Sequence, residues 1–117
     1  MRNELVEVKL EERGEVVIAY LSGELDLASA PHAGETIEAA VPASARGLVI
    51  DFSELAFIDS SGIAMLFDLA RRLGGRRQQL RVVAVPGDPV ARVLDIVEFG
   101  RAAPMHDDLD AAVAEIT

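Results

Sequence analysis

Apolar and charged positions alternate through residues 4–10, with Leu5, Val6, Val8 and Leu10 set against Glu4, Glu7 and Lys9. A period of two is that of a strand with one covered face. "EERG" then predicts a turn and "EVVIAYLSG" a second strand, so the chain opens with a hairpin. Between 26 and 41 the period changes: Ala30, Ala33, Ile37, Ala40 and Val41 recur at helical spacing, with Pro31 early enough for a first turn. "GLVIDF" is apolar without alternation, the pattern of a strand covered on both faces, which predicts a central place in a sheet.

After a turn at 59–62, the segment 61–73 carries no proline and stops at Gly74 and Gly75, which predicts a helix. "LRVVAV" predicts another covered strand. In "PGDPVARVLDIV", Asp88 has the character of an N-cap and Pro89 that of a first helical residue, with Val90, Val93, Leu94 and Val97 following on one face. "RAAPMH" predicts a short edge strand, and "DDLDAAVAEI" a last helix with acidic residues in its first turn. Strand, helix and strand between Gly47 and Val85 make a right-handed crossover unit. The expectation is a single small α/β domain over residues 1–117: a central mixed β-sheet of about four to five strands with about four helices.

Composition narrows what such a domain can do. Half of the 117 residues are hydrophobic, enough for one core without staples, and there is no cysteine. A disulfide framework, a thiolate metal site and a thiol redox switch are therefore excluded. No apolar run reaches the roughly 18 residues of a membrane span, and the start alternates, so a cytoplasmic chain with no direct membrane insertion is expected. The net charge is −9, although five of eleven basic residues fall together at Arg71, Arg72, Arg76, Arg77 and Arg81. An otherwise acidic surface repels phosphate backbones, and one tyrosine with no tryptophan offers little for base stacking, so nucleic acid is not an expected partner. The arginines read as a solvated helix end, where cations complement the dipole.

The candidate chemistry lies in Asp59, Ser60, Ser61 and Gly62, two hydroxyls between a strand and a helix. A small serine-dependent hydrolase would need a base oriented beside its serine. His32 and His106 belong to no recognisable motif, "LGGRRQQ" follows a helix and lacks phosphate-loop spacing, and Asp107, Asp108 and Asp110 lack the glycine and distal glutamate of a calcium loop. No enzyme activity, cofactor or metal is expected. The simplest structural role for Ser60 is a helix N-cap. Along the helix, Leu66, Leu69, Ala70 and Leu73 form a core face, while Ile63, Met65 and Phe67 widen the apolar arc to roughly 200°. The excess fits either a docking surface or a helix packed on several sides.

The segment "LVIDFSELAFIDSSGIAMLFDLARRL" resembles the signature of STAS domains, in particular bacterial anti-sigma-factor antagonists. "YLSGELDLASA" resembles the family's second landmark, a strand followed by Gly-Glu-Leu-Asp. The resemblance implies a partner switch. The unphosphorylated antagonist binds an anti-sigma factor that is a serine kinase and frees the sigma factor; phosphorylation releases it, and a phosphatase resets it. It implies Ser60 as phosphate acceptor, with Asp26 and Asp59 beside it; Ser61 and Gly62 of the same turn, and Ile63 as the residue of the apolar arc nearest the serines, complete the expected partner-binding set. A second role implied by the family is a subunit docking on the ATPase of an ABC transporter without phosphorylation. A monomer or a weak dimer is compatible with either.

Overall fold

The computed structural model describes residues 6–116. Leu5 and Glu4 of the opening alternation lie outside the described residues. Strand β1 (Val6–Arg13) pairs antiparallel with β2 (Val16–Leu25) across a two-residue turn in which Gly14 has φ +63°. The turn predicted over "EERG" is thus later than expected, and Glu11, Glu12 and Arg13 continue the strand against Ile18, Val17 and Val16. A tight hairpin needs positive φ, which glycine adopts without a Cβ penalty, so the chain reverses at Gly14.

Helix α1 (Ala30–Ala39) leads to β3 (Gly47–Ile58), α2 (Ser60–Gly75) to β4 (Gln79–Val83), and α3 (Pro89–Ile96) with a 3-10 turn at Phe99–Arg101 to β5 (Met105–His106); α4 (Leu109–Ile116) closes the described chain. The five strands lie in sequence order, β1 antiparallel and the remaining pairs parallel. The sheet is therefore mixed, and β3 is its middle strand, as the unbroken apolar run implied. "GLVIDF" is only the first half of that strand, which continues through "SELAFI". "LRVVAV" is its neighbour across the α2 crossover.

Two cores result. On one face α1, α2 and α3 pack over the sheet, burying Leu21, Ile37, Ile50, Leu66, Leu73, Leu94 and Phe99. On the other, α4 covers Val16, Ile18, Val49 and Val83 with Ala112 and Ile116. Leu48, Val49 and Ile50 are each fully buried, successive side chains entering opposite cores.

Two helices differ from expectation in their bounds, and a third in the residues it buries. α1 starts at Ala30, four residues after Asp26, because a side-chain-braced turn occupies the interval. α2 runs through Gly74 and Gly75, and the left-handed residue after it is Arg77, with φ +61°. The buried Gln78 amide beyond it donates from Nε2 to the carbonyls of Pro42 (2.9 Å) and Ala45 (3.0 Å), tying the helix exit to the loop that leads into β3. In α3, Asp88 and Pro89 take the expected N-cap and first positions, although Asp88 makes no side-chain capping bond. Val97 is exposed at the helix end, and Ala91 takes a core place with Val90 and Leu94.

Candidate functional site

Two loops meet at the carboxyl ends of β2 and β3. The ladder between these strands shifts register at Tyr20/Ser22 and again at Gly23/Glu24, so that Leu25 ends opposite Ile58. In the first loop, Asp26 Oδ1 accepts from the amides of Ala28 (3.0 Å) and Ser29 (3.1 Å). The Ser29 hydroxyl donates to the Glu24 carbonyl at 2.9 Å and accepts from the Asp26 amide at 3.0 Å. Ser29 is buried, so its hydroxyl must be satisfied locally, and these bonds do so.

The second loop is hinged on the first. The Asp59 amide donates to the Leu25 carbonyl at 3.1 Å. Asp59 itself is extended, with φ −111° and ψ −170°, and its Oδ1 accepts from the amides of Ser61 (2.8 Å) and Gly62 (3.2 Å). Asp59 is therefore the N-cap of α2, and Ser60, expected in that role, is the first helical residue. A carboxylate one residue earlier reaches the second and third amides, which is the cap geometry. Gly62 is buried and brings the first turn against β2: a Cβ there would lie 2.7 Å from Ile58 Cγ1 and 3.0 Å from the Leu25 carbonyl oxygen. Only a residue without a side chain permits that approach.

The two serines face different surroundings. Ser60 is exposed, and its hydroxyl makes no hydrogen bond among the described residues. Ser61 is half-buried and opens on a groove of 470 Å³ between α1 and α2, with Pro31, Glu35, Met65 and Arg72 on its walls. Met65 packs over Gly34, where a Cβ would come within 2.8 Å of its Cγ, so this residue of the wide apolar arc belongs to the α1–α2 contact. Ile63 is half-buried against the main core. Phe67 stays partly exposed and packs edge to face on Phe99, ring centroids 5.0 Å apart. The arc is wide because α2 is packed on several sides.

The arginine cluster also does more than end a helix. Arg72 pairs with Asp68 at 2.8 Å and with Glu38 of α1 at 3.5 Å, and Arg76 reaches Glu38 at 2.6 Å. The Arg72 hydrogen bond holds the Asp68 carboxyl below the ordinary carboxylate range. Arg71 also pairs with Asp68.

Asp26, Asp59, Ser60, Ser61, Gly62 and Ile63 are thus brought to one end of the molecule, with Gly62 and Ile63 turned partly or wholly inward. Sequence reasoning missed Ser29, whose signal was a serine three residues after Asp26 in "DLAS". It also missed Leu27, 74% exposed in the first loop, and Phe57, 46% exposed near the end of β3; both are large apolar groups on water in the two segments that carry Asp26 and Asp59. No hydrogen bond links His32 or His106 to either serine among the described residues, and no group of three metal-ligating side chains gathers there. Among the described residues no helix is long and apolar enough to cross a membrane.

The STAS domain model matches residues 7–112, and the chain belongs to the STAS family. A comparison with curated protein sequences finds no match. Among solved structures, an anti-sigma factor antagonist from Mycobacterium paratuberculosis is similar at 28% identity and a TM-score of 0.84, covering 95% of this chain and 93% of that one. The anti-sigma factor antagonist SpoIIAA in its unphosphorylated form is similar at 25% identity and a TM-score of 0.66, covering 93% and 96%. A sulfate transporter family protein from Wolinella succinogenes shares the fold at 18% identity and a TM-score of 0.75, covering 89% and 86%.

Proposed function

We propose that this chain is an anti-sigma-factor antagonist that works by partner switching, with Ser60 as the phosphate acceptor. The observation that carries the reading is the contrast within one turn of helix. Ser60 stands on water with an unengaged hydroxyl, while the Asp59 cap and the close packing at Gly62 define the backbone path on either side of it. A kinase must reach the hydroxyl, and a fixed turn presents it in one orientation. Likeness to two anti-sigma factor antagonists supports the same reading.

In this scheme the unphosphorylated end of the molecule that carries Asp26, Leu27, Phe57, Asp59 and Ser60 docks on an anti-sigma factor that is a serine kinase. Phosphate adds about −1.5 to −2 charge at pH 7. The amides of Ser61 and Gly62, which would otherwise receive it, already serve Asp59. The dianion therefore sits beside a carboxylate, without those donors, on a surface that a partner must desolvate. Release follows from local charge, with no change of fold. A phosphatase restores the neutral hydroxyl. The protein carries no chemistry of its own in this role and works in the cytoplasm with its kinase.

The test is phosphorylation of wild type, Ser60→Ala and Ser61→Ala by the cognate anti-sigma kinase with ATP, mapped by peptide mass spectrometry. Phosphate should be absent only from Ser60→Ala. Phosphate lost from Ser61→Ala instead would move the acceptor into the α1–α2 groove. Failure of every anti-sigma kinase to modify or bind the wild type would overturn the antagonist role in favour of a transporter subunit.

A further inference from the structure

β1 is an edge strand: it pairs with β2 on one side and with no strand on the other among the described residues. The two-residue turn closes on the Arg13–Val16 pair. Backbone groups alternate in direction along an antiparallel ladder, so Arg13, Glu11, Lys9 and Glu7 bond to β2. The N–H and C=O groups of Glu12, Leu10, Val8 and Val6 point outward. Long free ladders invite pairing, and charged side chains are the usual protection. β1 does carry charges, but their order makes the strand complementary to itself.

We propose that a second copy of this chain pairs antiparallel on β1 about a two-fold axis through Leu10. In that register Glu7 faces Arg13 of the partner subunit and Lys9 faces Glu11 of the partner subunit. Symmetry repeats both contacts, giving four opposite-charge pairs across the seam. Glu7 and Lys9 have no ion-pair partner of their own among the described residues, whereas Arg13 already pairs with Glu11 at 3.2 Å and with Asp110 at 3.1 Å, so across the seam Lys9 and Glu7 extend an existing pair into a charge network. Leu10, 45% exposed, meets its own mate, and the residues that face each other as hydrogen-bonded pairs are those with outward backbone groups. Axes through Lys9 or Glu11 put like charges together: Lys9 on Lys9 and Glu7 on Glu11, or Glu11 on Glu11 and Lys9 on Arg13. An axis through Val8 keeps only the Glu7–Lys9 pairing and overlaps just residues 6–10 of the described strand. Leu10 thus gives the longest complementary overlap. The seam lies two strands from β3, so Ser60 stays free, and the contact does not depend on the role proposed for that serine.

Because the chain has no cysteine, one engineered thiol per molecule can report the pairing. Directly opposed Cα atoms in a hydrogen-bonded antiparallel pair are about 5.5 Å apart, within disulfide reach. Leu10→Cys should oxidise to a covalent dimer at least tenfold faster than Ile96→Cys, which places a thiol at a site 72% exposed on α3. Adding Lys9→Glu to Leu10→Cys should slow the reaction about tenfold, and further adding Glu11→Lys should restore it, with circular dichroism confirming an unchanged fold throughout. Sedimentation of the wild type should show a dimer that Lys9→Glu weakens. Equal rates for Leu10→Cys and Ile96→Cys, faster cross-linking of Val8→Cys, or a wild type that remains monomeric at millimolar concentration would each overturn the proposal.

Discussion

A single carboxylate decides the geometry at the residue scale. Asp59 holds the start of α2 by two backbone bonds, so Asp59→Ala should cost about 0.5–2 kcal/mol in chemical denaturation. Ser60→Ala makes no such loss, because Ser60 caps nothing, and should stay within about 0.5 kcal/mol of wild type. A Ser60→Ala penalty as large as that of Asp59→Ala would contradict the cap assignment. Sequence could show that an acidic residue, two hydroxyls and a glycine join a strand to a helix. Whether aspartate or serine capped it depended on where Ile58 left the sheet, which is set by the bulged ladder with β2. Tyr20 offers a separate residue-scale test, being the one tyrosine in a chain without tryptophan. Its hydroxyl donates to Glu11, and this bond raises the phenol above its ordinary value while lowering Glu11. For a group raised on folding, the associated stability is present below the unfolded pKa near 10 and lost as pH climbs through the folded value. Phenolate absorbance should therefore rise at higher pH than in a free tyrosine, and Glu11→Gln should move it back toward the ordinary value.

At the element scale α2 shows what periodicity can and cannot assign. Leu66, Leu69 and Leu73 were legible as core from their spacing, and all three are buried. Ile63, Met65 and Phe67 were not assignable, because their partners lie elsewhere in the chain: Gly34 on α1 for Met65, and Phe99 in the 3-10 turn for Phe67. Leu66→Ala should cost about 2–5 kcal/mol by leaving a cavity in a site with no exposed surface. Ile63→Ala, half-buried, should cost clearly less, while weakening binding to the anti-sigma factor proposed as partner. Thermal melts set beside binding isotherms check both, and equal stability losses would place Ile63 wholly in the core. The arginines after Asp68 carry a similar lesson: they read as a solvated helix end, whereas Arg72 and Arg76 also reach Glu38 because α1 packs alongside.

For the whole molecule, the lone C-terminal helix is the critical layer. Among the described residues α4 alone covers Val49 and its neighbours on one face of the sheet, so Val49→Asp puts a charge into the thinner of the two cores. No partner awaits it there, and the variant should be destabilised by several kcal/mol. An unchanged melting temperature would show that α4 lifts readily to let water in. The sequence by itself determined the element order, the mixed sheet with "GLVIDF" at its centre, the crossover to "LRVVAV" and the serine-bearing turn. Each of those follows from apolar period, glycine and proline position, or local motif, all of which act over a few residues. Only the tertiary structure decided that Asp59 rather than Ser60 caps α2, that Ser29 braces the facing loop, and that Gly62 exists to let helix and strand touch. These depend on groups from β2, α1 and β3 arriving within a few ångströms of one another, and sequence separation carries no measure of that distance.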